Sequence, residues 1–384
     1  MAASARAWRC GVSRALLVLT LGGLTACGGG SGGESGSESG GSQGGTQAAA
    51  PALQACSVFP ANAVFNSRID GLPVHVSSAA WVGTIGTGVA FHGDWGFNAN
   101  PDSNPDTDPY YGIPWNTVSA LGNPSSWPLT TLGYQEESDC AIRDANGSLR
   151  VQQDCSGAAA SQSRFPFPDR GVLIEGGNSA SNDGDRHVLV VDTDACRLWE
   201  TAYAYRQADG HWEAAGIASW DLRSNAMRPD TWTSADAAGL PILPLLVRAD
   251  EAAAGEIRHA LRVTFRDPVL ADRGYTWPAT HAAGSSGGSI PFGALLRLKA
   301  SVVIPASWGV QARAIAVAMQ RYGLYVADNG SHLFVQGEPS TRWDPLVLDQ
   351  LKGLHMSDFE FVDTAVIRAR AGFDARSLAV PPSP

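Results

Sequence analysis

The sequence is poor in basic residues. It carries 27 lysines and arginines against 37 aspartates and glutamates, which gives a formal net charge of −10. Residues 1–26 contain three of the arginines and no acid, so the chain beyond them has 24 basic and 37 acidic residues and a net charge of −13. A chain of this charge is not expected to bind nucleic acid or to be held at anionic lipid by electrostatic attraction.

The apolar run near the N-terminus, residues 15–24, is too short for a permanent membrane helix, which needs about 20 apolar residues. It follows a short basic region and ends in LTAC, with Cys27 last. This pattern resembles the lipobox of bacterial lipoproteins, in which the cysteine is acylated and becomes the mature N-terminus. We therefore expect a signal peptide over 1–26, a flexible Gly/Ser-rich tether over 27–51, and a protein anchored by lipid in the bacterial cell envelope, at the outer membrane or cell surface.

Cysteine is scarce, and its spacing does not suit zinc. Of six cysteines, four remain beyond the expected lipidation site: Cys56, Cys140, Cys155 and Cys196. None of the four stand at the C-x₂₋₄-C spacing of zinc sites, and no HExxH-type pair of histidines exists, so we expect neither a metal nor another cofactor. An even number of cysteines in an exported chain predicts two disulfides. Cys140 with Cys155 would close a short loop around an Asn-Gly turn, which leaves Cys56 for Cys196.

Few segments have helical periodicity, and short apolar runs between glycines and prolines dominate. These runs predict strands over 171–177, 187–192, 197–205, 257–265 and 294–304, and a hairpin over 324–337. Helices are predicted over 307–322, 344–351 and 234–240. The fold class is therefore mainly β: an antiparallel, jelly-roll-like β-sandwich with two or three short helices. We expect one domain over 52–384, with a disordered C-terminal tail from about residue 371.

Residues 255–265, GEIRHALRVTF, place charged residues inside a predicted strand. If side chains alternate there, His259 points with the apolar residues, and Glu256, Arg258 and Arg262 point to the wetter face. A hydrogen-bonded core histidine is the simpler interpretation of His259 taken alone. We predict instead that it faces a cleft shared with His187 and His281, because apolar neighbours cannot give a buried imidazole a partner.

Other histidines also lie beside charged or aromatic residues, at strand ends and in loops. Histidine in such places offers an acid or a base near neutral pH. Glycosidic cleavage commonly needs two carboxylates, but Asp94, Glu175, Asp221, Asp250 and Glu256 all lie at strand ends or in polar loops, and the sequence does not choose among them. The residues predicted to be catalytic are His187, His259, His281, Glu256 and Asp94, and those predicted to bind substrate are Arg186, Arg258, His92, Trp95 and Trp277.

Several segments of the sequence together carry a resemblance to known proteins. They include DRHVLVVD, GEIRHALR, YTWPATH, LRLKAS, VADNGS and SDFEFVD. These segments resemble a functionally unassigned family of secreted bacterial proteins, and the resemblance extends over most of residues 57–363. It implies one extracytoplasmic domain, of a kind often found in bacteria that degrade polymers outside the cell.

Three functional classes remain open. The first is a surface enzyme that acts on extracellular polysaccharide, as a glycoside hydrolase or as a polysaccharide lyase. The second is a non-catalytic lipoprotein that binds glycan or cell wall through its tryptophans, and the third is a structural envelope lipoprotein. We favour the first, because histidine, arginine and glutamate in buried strands are costly unless they are used. The expected partners are the membrane lipid and a glycan, and the oligomeric state is left open.

Overall fold

The computed structural model describes residues 52–96, 111–119, 127–143, 149–169, 171–178, 184–284 and 286–382. All of them belong to one unit, Gln47–Pro384. The predicted signal peptide, the predicted lipidation site at Cys27 and the whole of the predicted tether lie outside the described residues.

The fold is mainly β, as the sequence predicts, and its described part contains nineteen strands and five short α-helices. In chain order the strands are β1 (Ala52–Leu53), β2 (Cys56–Ser57), β3 (His92–Asp94), β4 (Trp115–Val118), β5 (Thr130–Leu132), β6 (Asp139–Arg143), β7 (Leu149–Gln153), β8 (Val188–Asp192), β9 (Arg197–Thr201), β10 (Tyr205–Arg206), β11 (Trp212–Ala214), β12 (Ile217–Asp221), β13 (Leu261–Phe265), β14 (Leu270–Tyr275), β15 (Ile290–Phe292), β16 (Leu295–Leu298), β17 (Leu324–Asn329), β18 (Phe334–Gln336) and β19 (Phe359–Phe361). The α-helices are α1 (Ser78–Ile85), α2 (Ala249–Ala253), α3 (Val310–Arg321), α4 (Val347–Leu351) and α5 (Ala365–Arg368).

Two sheets position the candidate site. The smaller has the order β12-β9-β8-β4 and the larger the order β19-β16-β17-β13-β18-β3. Both sheets are mixed: β4 runs parallel to β8, β13 to β17, and β18 to β3, whereas the other neighbours within these two sheets are antiparallel. The antiparallel pairing expected from the sequence therefore describes only part of each sheet.

The four-stranded sheet separates two hydrophobic cores. Leu189 of β8 belongs to the larger core, together with Leu261 of the six-stranded sheet. Val188 and Val190 of β8 face a smaller second core, which also contains Trp199. Successive side chains of a strand point to opposite faces, so β8 is buried on both sides and reads as a continuous apolar run. The two sheets share the larger core in a sandwich-like arrangement, and the second core covers the outer face of the smaller sheet.

The hairpin predicted over residues 324–337 is wrong. Its two arms are strands, β17 and β18, but they do not pair with each other. β13 lies between them, parallel to β17 and antiparallel to β18. The chain around Gly330 therefore crosses over β13, and this brings residues of three strands side by side.

Helix prediction was right in two places and wrong in others. α3 and α4 lie within the predicted segments, and α3 ends just before Gly323, whose φ of 76° favours glycine. Residues 234–240 form bends and turns instead of a helix. Residues 257–260, expected to begin a strand, are not part of one, since β13 begins at Leu261.

Both predicted disulfides are confirmed, Cys56 with Cys196 and Cys140 with Cys155. The second joins Cys140 of β6 to Cys155, two residues beyond the end of the antiparallel partner strand β7, and the first spans 140 residues of sequence. Within the described residues, no helix combines the length and the apolar character needed to cross a membrane.

The C-terminal segment is packed rather than disordered up to residue 382. The side chain of Leu378 is buried, and its backbone N–H donates to the carbonyl oxygen of Asn225 over 2.7 Å. Ala379 forms an antiparallel bridge with Ala63. The expectation of a disordered tail from about residue 371 is corrected here, because apolar residues near the end of the chain find a place in the larger core.

Candidate active site

Arg262 of β13 lies at the centre of a buried group of polar side chains. Its side chain is 0% exposed, so the prediction that it points to a wet face is wrong. The Nη2 group donates to Asp236 Oδ1 over 2.8 Å and lies 3.7 Å from Asp328 Oδ2, and Nη1 donates to the Gln336 side chain. β13 is an inner strand between β17 and β18, and all five of its residues are buried, so both of its faces are covered.

His187 and Glu175 form a buried ion pair near this arginine. His187 Nδ1 lies 2.5 Å from Glu175 Oε2, and Nε2 lies 2.9 Å from the carbonyl oxygen of Ala235. Burial lowers the pKa of His187, but the adjacent Glu175 carboxylate outweighs burial and raises the pKa to about 10. The imidazole is therefore protonated near neutral pH, and both of its N–H groups have an oxygen partner.

Glu175 stays ionised for the same reason. Burial raises the pKa of this carboxyl, but the charge of His187 and its hydrogen bonds overcome burial and hold the pKa below the usual range. The Glu175 side chain is 23% exposed, whereas that of His187 is 4% exposed. Glu175 is thus a carboxylate with one side fixed by a cation and another open to solvent.

Four further carboxyl groups surround the same two cations, and burial raises the pKa of each. The pKa of Asp94 is raised to about 6, with a contribution from the charge of Glu175. Those of Glu200 and Asp236 are raised to about 7 and about 6. That of Asp328 is raised to about 8, because the negative charge of Asp236 adds to burial. Five acids share a guanidinium and an imidazolium, so some of them must keep a proton near neutral pH.

The acids of this cluster differ in their access to solvent. Asp236 and Glu200 are fully buried, and Glu200 accepts the backbone N–H groups of Ile242 and Leu243. Asp94, Glu175 and Asp328 are partly exposed, Asp328 by 18% of its side chain. Two acids of the cluster are therefore shielded from solvent, and three reach it in part.

A metal ion at this place would compete with the hydrogen bonds just described. Donor atoms of Glu175, Asp185 and His187 lie within 4.8 Å of one another. His187 would have to lose its proton and leave Glu175 before its nitrogen became a ligand. The Asp185 carboxylate accepts the Tyr203 hydroxyl over 3.1 Å. In this arrangement the hydrogen bonds of His187 and Asp185 oppose metal coordination.

Of the predicted catalytic residues, the structure brings together only His187 and Asp94. His92 lies two residues before Asp94 on β3, but its ring is exposed and stacks on Phe334 with centroids 3.9 Å apart. Arg186, predicted to bind substrate, precedes His187 with a φ of 49° and lies over the Tyr205 ring, 4.5 Å from its centroid. That ring belongs to the other side of the four-stranded sheet.

His259 lies in a sealed core, so the cleft predicted for it is corrected. Its Nε2 lies 2.9 Å from Glu251 Oε2 and 3.0 Å from Arg248 Nη2, and Nδ1 lies 2.8 Å from the Ala260 carbonyl oxygen. Arg248 and Glu251 are themselves 2.7 Å apart. Arg248 and Glu251 come from α2 and the residue before it. The alternation of side chains along a strand does not predict that this segment contacts His259.

The remaining predicted catalytic residues lie outside the cluster. Glu256 and Arg258 form a solvent-exposed pair with 2.6 Å between Oε2 and Nη2. His281 is half-buried, and its Nδ1 lies 2.8 Å from the carbonyl oxygen of Ala237. An exposed ion pair such as that of Glu256 and Arg258 contributes little to stability.

The two tryptophans predicted to bind substrate are core residues. Trp95 is 2% exposed and packs on Trp343 with ring centroids 5.3 Å apart. Trp277 is 7% exposed, and its indole N–H donates to the carbonyl oxygen of Ser377 over 3.0 Å. Neither offers an open ring face to a sugar, which corrects that expectation.

Four residues of the cluster were not identified from the sequence: Arg262, Asp328, Asp236 and Glu200. Glu175 was one of five carboxylates that the sequence did not separate. The available signal was weak: a charged residue inside an apolar run, as in Glu200 of RLWET and Arg262 of LRVTF.

No protein-family model, curated protein or solved structure matches this chain.

Proposed function

We propose that this protein is a lipid-anchored enzyme of the bacterial cell envelope that hydrolyses glycosidic bonds of extracellular polysaccharide. The observation that carries the proposal is the opposite protonation of two partly exposed carboxyl groups in one cluster. Asp328, with a pKa of about 8, holds a proton near neutral pH, whereas Glu175 is ionised. Environments that push two carboxyl pKa values apart are how hydrolases assign an acid and a base.

In the proposed reaction Asp328 is the general acid. It gives its proton to the oxygen of the leaving sugar as the glycosidic C–O bond breaks. Glu175 takes a proton from the attacking water, whose oxygen forms the new bond to the sugar carbon. His187 is a positioning residue, because it touches Glu175 and keeps that carboxyl ionised.

The state of His187 favours hydrolysis over elimination by a lyase. A lyase requires a base that removes a proton from the sugar carbon that bears the carboxylate of a uronate residue. His187 is protonated near neutral pH and donates from both ring nitrogens, so it has no free lone pair for that step. The burial of Trp95 and Trp277 also weighs against a binding protein that would use these two rings.

The proposed site is tested by substrate panels and one conservative variant. The purified mature protein is incubated with neutral and uronate polysaccharides, and reducing ends and unsaturated products are followed separately. We expect new reducing ends without unsaturated products, and a loss of about 10²–10⁴-fold in rate for Asp328→Asn. Activity should fall as the pH rises through about 8, where Asp328 loses its proton.

Asp272→Asn is the matched control, since Asp272 is exposed and lies on β14. It should keep the parent rate. Full activity of a folded Asp328→Asn variant, or unsaturated products from a uronate polymer, would sink the proposed mechanism.

The proposed location depends on Cys27. The two disulfides are compatible with an oxidising, non-cytoplasmic compartment, and the LTAC segment supports acylation. Replacement Cys27→Ser should move the protein from the membrane fraction to the soluble exported fraction. Retention of the variant in membranes would contradict lipid anchoring.

A further inference from the structure

A cavity lies on the face of the four-stranded sheet that the second core covers. It encloses about 450 Å³, within the size range of small-ligand sites. Its lining includes Phe167, Trp212 and Ile174, which belong to the second core. We refer to it as the outer pocket.

The outer pocket and the carboxyl cluster are built from adjacent residues that point in opposite directions. Ile174 lines the pocket and Glu175 belongs to the cluster; Arg186 lines the pocket and His187 belongs to the cluster. The left-handed backbone of Arg186, with φ of 49°, contributes to this divergence. A molecule in the outer pocket would therefore contact Ile174 and Arg186, but not their neighbours Glu175 and His187 in the carboxyl cluster.

The pocket combines aromatic rings with exposed hydrogen-bonding groups. Phe167 and Trp212 stack with centroids 3.8 Å apart and an angle of 10° between the rings. The guanidinium of Arg186 covers Tyr205, while Arg206 and Asn178 are exposed at the same cavity. Phe167 and Trp212 are buried and form the apolar wall of the pocket, whereas the Tyr205 ring is partly exposed. A partly exposed aromatic ring can pack on the apolar face of a sugar, and guanidinium and amide groups bind its carboxylate and hydroxyls.

The charge of the outer pocket differs from that of the whole chain. Its described lining residues include two arginines and one aspartate, Asp169, although the sequence carries a net charge of −10. The Arg186 guanidinium donates to the carbonyl oxygens of Ala204 and Gly177, so the exposed Arg206 is the arginine that an anionic ligand would meet.

We propose that the outer pocket binds a short segment of an acidic polysaccharide, with a uronate carboxylate at Arg206. Only the choice of a glycan as ligand rests on the proposed function. The pocket would hold the polymer near the enzyme without taking part in bond cleavage.

The test uses the mature chain carrying Asp328→Asn, so that binding is measured without hydrolysis. Calorimetric titration with tetragalacturonate and with cellotetraose compares a charged and an uncharged probe. We expect tetragalacturonate to bind and cellotetraose to bind at least about tenfold more weakly, because the latter lacks the carboxylate. Adding Arg206→Gln should weaken tetragalacturonate about tenfold, and Tyr205→Ala should weaken both probes.

Arg223→Gln is the control, because Arg223 is exposed and does not line the pocket. Arg206 and Asn178 are exposed, so Arg206→Gln and Asn178→Ala keep the test valid even if Tyr205→Ala fails to fold. Equal binding by the parent and all folded pocket variants, or no binding of either probe, would overturn the inference. Hydrolysis lost in Asp328→Asn together with unaltered binding by the pocket variants would reject the outer pocket and leave the proposed function standing.

Discussion

The protein buries two histidine–glutamate pairs, and they have opposite electrostatic surroundings. His259 and Glu251 meet Arg248, so one carboxylate faces a buried guanidinium and a buried imidazole. His187 and Glu175 belong to a cluster in which five carboxyl groups share two cations, and part of it is open to solvent. Two pairs of the same residue types therefore differ in the balance of the charges around them and in their access to solvent.

The contrast is visible in the carboxyl groups. Burial raises the pKa of Glu251, but Arg248 and His259 outweigh it and lower the pKa to about 2. Burial and the charge of Asp236 act in the same direction on Asp328 and raise its pKa to about 8. Neighbouring charge decides the outcome at both sites, and only the second outcome places a proton donor near neutral pH.

The largest change in stability should come from the site of His259, Glu251 and Arg248. Glu251→Gln removes the carboxylate between two buried cationic or polar groups, and we expect the free energy of unfolding to fall by about 3 kcal/mol. Rate per folded molecule should stay at the parent value, because Glu251 is not part of the carboxyl cluster. Chemical denaturation and an activity assay on the folded fraction measure both quantities.

Glu256→Gln serves as its comparison, since Glu256 forms an exposed pair with Arg258. It should change the free energy of unfolding by no more than about 0.5 kcal/mol. A folded, stable Glu251→Gln variant without activity would erase the distinction between the two sites.

A smaller effect should appear in the pH dependence of stability, with opposite signs at the two sites. The folded-state pKa of Glu251, about 2, is below its ordinary value of 4.5, so its stabilising contribution is present above pH 4.5 and is lost as the pH falls toward 2. The folded-state pKa of Asp328, about 8, is above its ordinary value of 3.8, so stability decreases as the pH rises from about 4 to about 8. Tm should therefore be highest in mildly acidic solution.

Asp328→Asn sharpens this comparison, because it removes an acid from the crowded cluster. At pH 8 the variant should be more stable than the parent by on the order of 1 kcal/mol, and the fall in Tm toward alkaline pH should become shallower. Asp272→Asn should reproduce the parent curve. A parent Tm that rises between pH 5 and pH 8, or a destabilised Asp328→Asn variant, would contradict the claim that an excess of carboxyl groups destabilises the cluster.

Local patterns predicted part of this molecule well. Cys140 and Cys155 were paired correctly because a short loop favours closure, and the pairing of the other two followed. The strand β8 was recognised because an uninterrupted apolar run has few alternatives. These inferences needed only neighbouring residues or a count.

The candidate site depended on contacts between distant segments. Asp328 looked like part of a hairpin, and the insertion of β13 between β17 and β18 brings it to Arg262 instead. Alternation placed Arg262 on a wet face, but an inner strand of a covered sheet has none. His259 seemed to lack a partner because α2, which supplies Glu251, was not predicted.

The disulfide between Cys56 and Cys196 has a mechanical consequence for a protein on a lipid tether. The described chain begins with β1 and β2, a pair of two-residue strands that a pull from the N-terminus would peel away easily. Cys56 lies in β2, and Cys196 lies in the turn between β8 and β9. In the proposed anchored form, tension from the membrane would therefore pass through the covalent bridge into the middle of the four-stranded sheet. Drag from a bound polymer would then load two inner strands even after the N-terminal pair had peeled apart.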